Sequence, residues 1–301
     1  MLLQGGPFVR SVIVLIVFLI ICLASAGCTG NSKPAKSSYS VDSGGVLSLS
    51  CAPETTSEEI LFTNETYTKS RVVFETQSGN VTTYLASPKI PKAAFVYTPG
   101  AGEKLAGHEE RMVRFASAGY AFLFVDTRGN GGDTAGLPFG QQMIQQDFAK
   151  FEKGEIPQYY LSICDLISAR KMLAGRYHVP VYALGSSNGG RYAAVAAGVD
   201  PQFAGYIGIS TSDWGFLDAL NAQGMTGDPV RFAASIEPST YIGKISPRPV
   251  WMYHNATDPV IPFSSGEKLF EKAGNPKNFT EFSGDHGINP EVDTRIIGQW
   301  A

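Results

Sequence analysis

The sequence predicts an α/β fold built on a mostly parallel sheet with helices on both faces. From residue 93 onward, short apolar strands alternate with stretches of helical periodicity. The strands are apolar throughout rather than at every second residue, which is typical of parallel strands buried on both faces. The chain has 301 residues, of which 44% are hydrophobic and 17% charged, so it is long enough for one large domain with an ordinary core.

The individual elements follow from the apolar pattern. Strands are predicted at 93–98, 120–125, 181–184, 205–210, 249–254 and 278–282. Helices are predicted between them, at about 104–118, 158–175, 188–198, 264–274 and 289–299. Before them, residues 46–87 have a β pattern, in which 71–76 and 81–87 are predicted to pair as a hairpin around turn residues.

The N-terminus has the pattern of an export signal. Residues 11–32 carry no charge, and the strongly apolar run Val12–Leu23 has the length of a signal-peptide core. The small residues before Cys28 resemble the lipobox of prokaryotic lipoproteins, in which the signal is removed and the cysteine is lipidated. Ser25 departs from that motif, which most often has Leu three residues before the cysteine. An uncleaved membrane anchor over 11–28 therefore remains the alternative.

Both alternatives tether the protein to a membrane at its N-terminus, and the predicted location of the folded part is extracytoplasmic, in the cell envelope. The positive charges on the two sides of the apolar run do not settle its orientation. The predicted organisation is a signal peptide or anchor at 1–27, a flexible Ser- and Gly-rich tether at 28–45 and one folded domain at 46–301. Cys51 and Cys164 could pair in an oxidising compartment. Because Cys164 lies in a helical pattern far along the chain, two small buried thiols are the favoured interpretation.

Several function classes are excluded or disfavoured. The formal net charge is only −3, which gives no electrostatic reason to expect a nucleic-acid partner. The sequence contains no P-loop, GxGxxG, HExxH or CxxC motif, and no cluster of residues has metal-ligand spacing. Neither a cofactor nor a metal is therefore predicted, and any chemistry must come from side chains.

The strongest candidate for such chemistry is Ser187. It is the central residue of a G-x-S-x-G pattern that follows an apolar strand and precedes a helix rich in small residues. A sharp strand-to-helix turn needs glycines and points the serine outward at the edge of the sheet, as in a nucleophile elbow. A plain Gly-Ser turn is the alternative, since the pattern alone is common.

A serine needs a base to take its proton, and the chain has four histidines. His286 follows strand 278–282 in a turn-rich loop at the edge of the sheet where sites form. His108 lies near the start of a helix, His178 lies at the opposite end of the sheet, and His254 closes a strand. His286 is therefore the predicted base, and a solvated loop histidine is the alternative.

The residue that orients the base is predicted to be Asp258, which follows strand 249–254. Asp213, after strand 205–210, stays open because triads tolerate an acid from a neighbouring strand. Asp285 is too close to His286 in sequence to face its ring comfortably.

The order Ser187, Asp258, His286 resembles that of α/β-hydrolases. The hairpin followed by YLASPKIPKAAFVYTPG resembles dienelactone-hydrolase-like and prolyl-oligopeptidase-like members, over about residues 60–300. The resemblance implies an α/β-hydrolase fold with a sheet of about eight strands. It also implies an oxyanion hole formed by the amides of Ala101 and Asn188. Pro99 departs from the His that many members have there.

The resemblance implies a serine hydrolase that acts on a small-molecule acyl substrate, with hydrolysis of a carboxylic ester as the expected reaction. A small serine peptidase or amidase would use the same residues. A binding lipoprotein that has lost turnover is a third possibility, of a different class. The apolar stretches 134–160 and 211–248 are predicted to shape an apolar acyl or alcohol pocket above the strand ends.

Overall fold

The structure, a computed structural model, describes residues 37–52, 55–76 and 78–299. The predicted signal or anchor at 1–27, the predicted lipidation site Cys28 and residues 29–36 of the predicted tether lie outside the described residues. Among the helices that are described, none combines the length and the apolar character that crossing a bilayer requires.

The strands of the described chain form one large sheet and one small hairpin. Their bounds are β1 Ser38–Val41, β2 Leu47–Ser50, β3 Thr55–Thr63, β4 Thr68–Thr76, β5 Gly79–Ser87, β6 Ala94–Thr98, β7 Ala121–Val125, β8 Val181–Ser186, β9 Tyr206–Ile209, β10 Val250–Asn255 and β11 Lys277–Phe282. Every strand predicted from residue 71 onward is present, within a few residues of its predicted bounds.

Helices connect these strands and cover the sheet. They are α1 Glu109–Ser117, α2 Gln141–Glu152, α3 Gln158–Tyr177, α4 Asn188–Val199, α5 Phe216–Ala222, α6 Asp228–Ile236, α7 Phe263–Glu271 and α8 Pro290–Gln299. The five predicted helices correspond to α1, α3, α4, α7 and α8. Helices α2, α5 and α6 lie in the two stretches that the sequence assigned only to the walls of a pocket.

The large sheet contains nine strands within the described residues, in the order β11-β10-β9-β8-β6-β7-β5-β4-β3. Strands β6 to β11 run parallel, and β5, β4 and β3 extend the sheet with antiparallel pairing. The predicted hairpin is β4–β5, which pairs from Thr68 with Ser87 to Thr76 with Gly79. Because β6 to β11 are parallel, their carboxyl ends lie at one edge of the sheet.

Alternate residues of the central strands enter two separate cores. Val96 of β6 and Leu123 of β7 belong to one core, which packs against α2, α3, α4 and α6. Phe95 and Phe122, their neighbours in sequence, belong to the other core, which packs against α1 and α8. Both faces of the sheet are therefore buried at its central strands, which is why these strands are apolar throughout.

The small hairpin corrects two expectations. Residues 38–41, within the predicted tether at 28–45, form β1 and pair with β2, so the ordered domain begins before residue 46. The ring of Tyr39 packs 4.9 Å from that of Tyr160, and its hydroxyl donates to the Phe151 carbonyl. The Ser- and Gly-rich composition of this segment concealed a short strand that is held by one half-buried aromatic side chain.

The second correction concerns the cysteines, because Cys51 and Cys164 form a disulfide. The expectation of two unpaired thiols rested on their separation of 113 residues. Folding removes that separation, since the hairpin packs on α3, which carries Cys164. The Cα atoms are then 5.5 Å apart, within the ordinary range for a disulfide.

Candidate active site

Ser187 lies in the turn between β8 and α4, with a strained backbone. Its φ of 53° and ψ of −121° are unusual for a residue that is not glycine. Its amide donates to the Ile209 carbonyl at 2.8 Å, which ties the turn to β9. Gly189 is needed because a Cβ atom there would overlap the carbonyl oxygens of Thr98 and Pro99. Neighbouring strands therefore hold the serine in its strained conformation.

The structure brings the three predicted residues into one hydrogen-bonded chain. The Ser187 hydroxyl lies 2.8 Å from His286 Nε2. On the other side of the ring, His286 Nδ1 lies 2.8 Å and 2.9 Å from the two carboxylate oxygens of Asp258. The chain is consistent with a neutral imidazole whose Nδ1–H donates to Asp258 and whose Nε2 accepts the serine proton.

The Asp258 carboxylate is held ionised by its surroundings. Its side chain is fully excluded from solvent, and burial alone would raise its pKa. Hydrogen bonds from the Ile261 amide, from His286 and from the Val260 amide outweigh this effect, so the pKa of Asp258 lies below its ordinary value. At neutral pH an ionised acceptor therefore faces His286 Nδ1.

The rival acids lie elsewhere. Asp213 accepts a hydrogen bond from the Ser239 amide at 2.6 Å and pairs with Lys272 at 3.2 Å. Asp285 is exposed, and no hydrogen bond joins it to His286 in the described chain. Since both oxygens of Asp258 face His286 Nδ1, the geometry favours Asp258 over either rival.

The other histidines do not reach the serine. His178 ends α3, at the opposite end of the sheet, and is exposed. His108 is buried at the start of α1 and bonds with Glu103 and Arg111. His254 is fully buried on β10 and contacts the Ile261 carbonyl through Nε2. His286 is half-buried, and it is the histidine that contacts Ser187.

The two amides expected to form an oxyanion hole belong to segments that meet at Gly189. Ala101 is exposed in the turn after β6. This turn begins at Pro99, which packs against Gly189. Asn188 is the first residue of α4, so its amide has no partner within the helix. The N-terminus of α4 also favours negative charge beside Ser187.

Apolar side chains of the two predicted pocket stretches do gather. Trp214 stacks on Phe139 at 3.9 Å and lies parallel to Phe216 at 5.9 Å. Next to them, α2, α5 and α6 line an open apolar groove of about 280 Å³, whose lining includes Phe148 and Phe232. None of Ser187, Asp258 and His286 lines this groove, so it is separate from the hydrogen-bonded chain.

In the portion of the chain that the structure describes, no group of three or more His, Cys, Asp or Glu side chains is arranged to hold a metal ion.

Several solved structures resemble the described chain closely enough to identify its fold. An acetyl xylan esterase from Paenibacillus sp. R4 superposes with a TM-score of 0.66 at 18% identity, covering 83% of this chain and 90% of that one. The α/β hydrolase GrgF from Penicillium sp. sh18 gives a TM-score of 0.58 at 18% identity, covering 77% and 96%. The chain has the α/β-hydrolase fold.

A glucuronoyl esterase from Solibacter usitatus is also similar, with a TM-score of 0.59 at 13% identity over 83% of this chain and 86% of that one. No protein-family profile matches the sequence, and no curated protein resembles it significantly. At these identities the likeness extends to the α/β-hydrolase fold and not to the substrate.

Proposed function

We propose that the protein is a serine hydrolase that cleaves carboxylic esters through an acyl-serine intermediate. The observation that carries this proposal is the hydrogen-bonded chain from Asp258 through His286 to Ser187. These three hydrogen-bonded residues lie at the carboxyl edge of an α/β-hydrolase sheet. Solved structures with this fold include acetyl xylan and glucuronoyl esterases. These names support an ester as the substrate.

Acylation begins when Ser187 Oγ attacks the carbonyl carbon of the ester. His286 Nε2 takes the hydroxyl proton as the new C–O bond forms, and Asp258 stabilises the resulting imidazolium. The carbonyl oxygen gains negative charge, which the amides of Ala101 and Asn188 would stabilise. When the tetrahedral intermediate collapses, the alkoxy group leaves with the proton from His286.

Deacylation repeats these steps with water in place of the serine. His286 takes a proton from water, the hydroxide attacks the acyl carbon, and the serine leaves with the proton returned. The products are a carboxylic acid and regenerated Ser187. Ser187, His286 and Asp258 are already joined by hydrogen bonds, so proton transfer between them requires no rearrangement of these three side chains.

A location outside the cytoplasm is part of the same proposal. Disulfides persist in oxidising compartments, and the disulfide between Cys51 and Cys164 therefore supports export. The apolar N-terminal run and the lipobox-like residues before Cys28 support a membrane tether.

Labelling with a fluorophosphonate tests the proposal. Such a reagent phosphonylates an activated serine as fluoride leaves, so the wild-type protein should gain the mass of the phosphonyl group and Ser187→Ala should not. On p-nitrophenyl acetate, Ser187→Ala and His286→Ala should each lose on the order of 10³-fold or more in kcat. Esters of increasing chain length, compared with aminoacyl amides, would then separate esterase from peptidase activity. A wild-type protein that is neither labelled nor active would indicate a non-catalytic binding protein.

A further inference from the structure

The turn that carries Ala101 is closed by a carboxylate. The Glu103 amide donates to the Gly100 carbonyl at 3.2 Å, and Glu103 Oε2 accepts a hydrogen bond from the Gly100 amide at 2.7 Å. Asn130 braces the same turn, since its Nδ2 donates to the Gly100 and Glu103 carbonyls at 3.0 Å each. The position of the Ala101 amide therefore depends on where the Glu103 side chain is held.

His108 holds that side chain from the opposite direction. Its Nε2 lies 3.2 Å from Glu103 Oε2, and its Nδ1 lies 2.6 Å from Arg111 Nη1. A guanidinium can only donate, so His108 Nδ1 is the acceptor and Nε2 carries the proton that is donated to Glu103. Burial raises the pKa of Glu103, but the hydrogen bonds from His108 and from the Gly100 amide outweigh it and lower the pKa overall. The acceptor is therefore an ionised carboxylate.

Arg111 reaches the other side of the site as well. Its Nη2 donates to the Ile288 carbonyl at 3.1 Å, two residues after His286. Its Nε donates to Asp293 at 2.8 Å, and Arg114 donates to the second oxygen of the same carboxylate at 2.9 Å. The Arg111 side chain is only 8% exposed, and that of Asp293 only 1%. This ion pair is thus a buried anchor between α1 and α8.

We propose that Arg111 is a positioning residue that holds the oxyanion turn and the His286 loop in register with each other. It acts on the turn through His108 and Glu103, and on the loop through the Ile288 carbonyl. The inference rests on the proposed function, because it concerns the geometry of that site. It assigns a role to three buried or half-buried polar residues that neither donate nor accept a proton in the proposed reaction.

The consequence for catalysis lies in the transition state. An amide donor stabilises the oxyanion only where that oxygen will lie, and a shift of about 1 Å can cost on the order of 10²-fold in rate. The binding of the ester in its ground state depends much less on where this amide lies. Loss of the relay should therefore lower kcat and leave KM nearly unchanged.

Glu103 offers a test with a matched control. Glu103→Ala removes the acceptor of the Gly100 amide and should lower kcat by about tenfold to a hundredfold. Glu103→Gln keeps an amide oxygen that can accept from both Gly100 and His108, so it should restore most of the activity. Glu109→Ala removes a nearby carboxylate that pairs with Lys69 instead, and it should behave like the wild type.

Substitution of Arg111 is compared with substitution of Arg114, because each substitution removes one of the two arginines that bind Asp293. Arg111→Gln should lower kcat at unchanged KM, whereas Arg114→Gln should leave kcat unchanged. The kcat of the double variant Glu103→Ala/Arg111→Gln should be close to that of Arg111→Gln alone, because the effects of residues that act through one relay are not additive.

Denaturant unfolding of each variant separates these effects from loss of fold. The Glu103 variants carry the least risk of unfolding because that side chain is 37% exposed.

Affinity for a trifluoromethyl ketone gives a second readout, because its hemiketal adduct with Ser187 carries an oxyanion. The affinity should fall in Glu103→Ala and Arg111→Gln, and stay constant in Glu109→Ala and Arg114→Gln. Equal effects in the paired variants, or no rescue by Glu103→Gln, would overturn the inference while Ser187-dependent turnover of the wild type still supports the proposed function. A wild type without fluorophosphonate labelling would overturn both.

Discussion

His254 Nε2 lies 3.8 Å from Asp258 Oδ2, and both side chains are fully excluded from solvent. The same nitrogen lies 2.9 Å from the Ile261 carbonyl, to which its proton is donated. Gly266 packs directly against the ring, where a Cβ atom would overlap Nδ1. Burial is the largest influence on the pKa of His254 and lowers it. The imidazole is thus neutral, and it lies against the carboxylate that contacts His286 Nδ1.

This burial predicts a pH-dependent stability. Below about pH 6.5 the unfolded chain protonates His254, whereas the folded protein resists protonation because the folded pKa is lowered. The stability that depends on a neutral His254 is therefore fully present above that pH and is lost as the pH falls. His254→Gln, which can still donate to Ile261, should lose less stability between pH 6.5 and pH 5, by up to about 1.4 kcal/mol per pH unit. Urea unfolding at several pH values measures the difference, and equal slopes for both proteins would contradict it.

The choice of acid can be tested by two isosteric variants. Asp258→Asn presents an amide to His286 Nδ1 and favours the wrong imidazole tautomer, so kcat should fall by orders of magnitude, though by less than in Ser187→Ala. Asp213→Asn should keep most activity, because Asp213 contacts the Ser239 amide and Lys272 rather than His286. The two are compared on p-nitrophenyl acetate. If Asp213→Asn were the impaired protein, the acid would be misassigned while the nucleophile remained.

The burial of Glu237 leads us to expect a second effect of pH on stability, with the opposite sign. Its side chain is 2% exposed, it accepts from the Gly215 amide, and its Oε2 has no partner among the described residues. Burial, with a smaller effect of the Asp213 charge, raises the pKa of Glu237 to about 8. Between the unfolded pKa of about 4.3 and this value the folded protein holds the extra proton, so stability falls as pH rises.

Glu237→Gln removes this titration while keeping the shape of the side chain. The variant should therefore gain stability relative to the wild type as the pH is raised from 5 to 8, by up to about 1.4 kcal/mol per pH unit. Urea unfolding of both proteins across this range gives the measurement. A constant difference between them would show that Glu237 is already ionised in the folded state.

Reduction of the disulfide should destabilise the domain without altering the site. The bond between Cys51 and Cys164 closes a loop of 113 residues, for which chain entropy predicts about 4–5 kcal/mol of stabilisation. Dithiothreitol should lower the urea midpoint of the wild type, and Cys51→Ser/Cys164→Ser should match the reduced protein and no longer respond. Activity at low temperature should persist in both cases, because no residue of the hydrogen-bonded chain contacts the disulfide.

The membrane tether is tested by Cys28→Ala. If Cys28 is lipidated after signal removal, the variant should be released from membranes or remain unprocessed, with a mass that shows the retained signal. Fractionation with mass spectrometry measures both properties. An unchanged mass together with unchanged membrane association would favour the uncleaved anchor over residues 11–28.

The strands and the three residues of the hydrogen-bonded chain were predictable because each has a local signal. Apolar runs mark the strands, and the strand-end rule for parallel sheets directs attention to Ser187, Asp258 and His286. The choice between Asp258 and Asp213 needed coordinates, because both follow parallel strands. Only the position of the carboxylate oxygens relative to His286 Nδ1 distinguishes them.

Other features have no local signal. The disulfide depends on a hairpin packing against a helix more than a hundred residues away, and spacing alone does not show this. The relay from Arg111 to Glu103 joins ordinary polar residues at the start of a helix to the turn before it. Arg111 was inconspicuous in the sequence because its partners Ile288 and Asp293 are contributed by the C-terminal part of the chain.

The hairpin of β1 and β2 would also have a mechanical consequence under the proposed N-terminal tether. Any tension on the preceding chain enters the described domain at β1, and it can unzip only the hairpin before it meets Cys51. There the covalent bond to Cys164 transfers the force directly into α3, which packs in the core beneath the sheet. The disulfide thus acts as a mechanical stop, so that pulling on the tether would peel off the hairpin and leave the strands that carry Ser187, Asp258 and His286 in place.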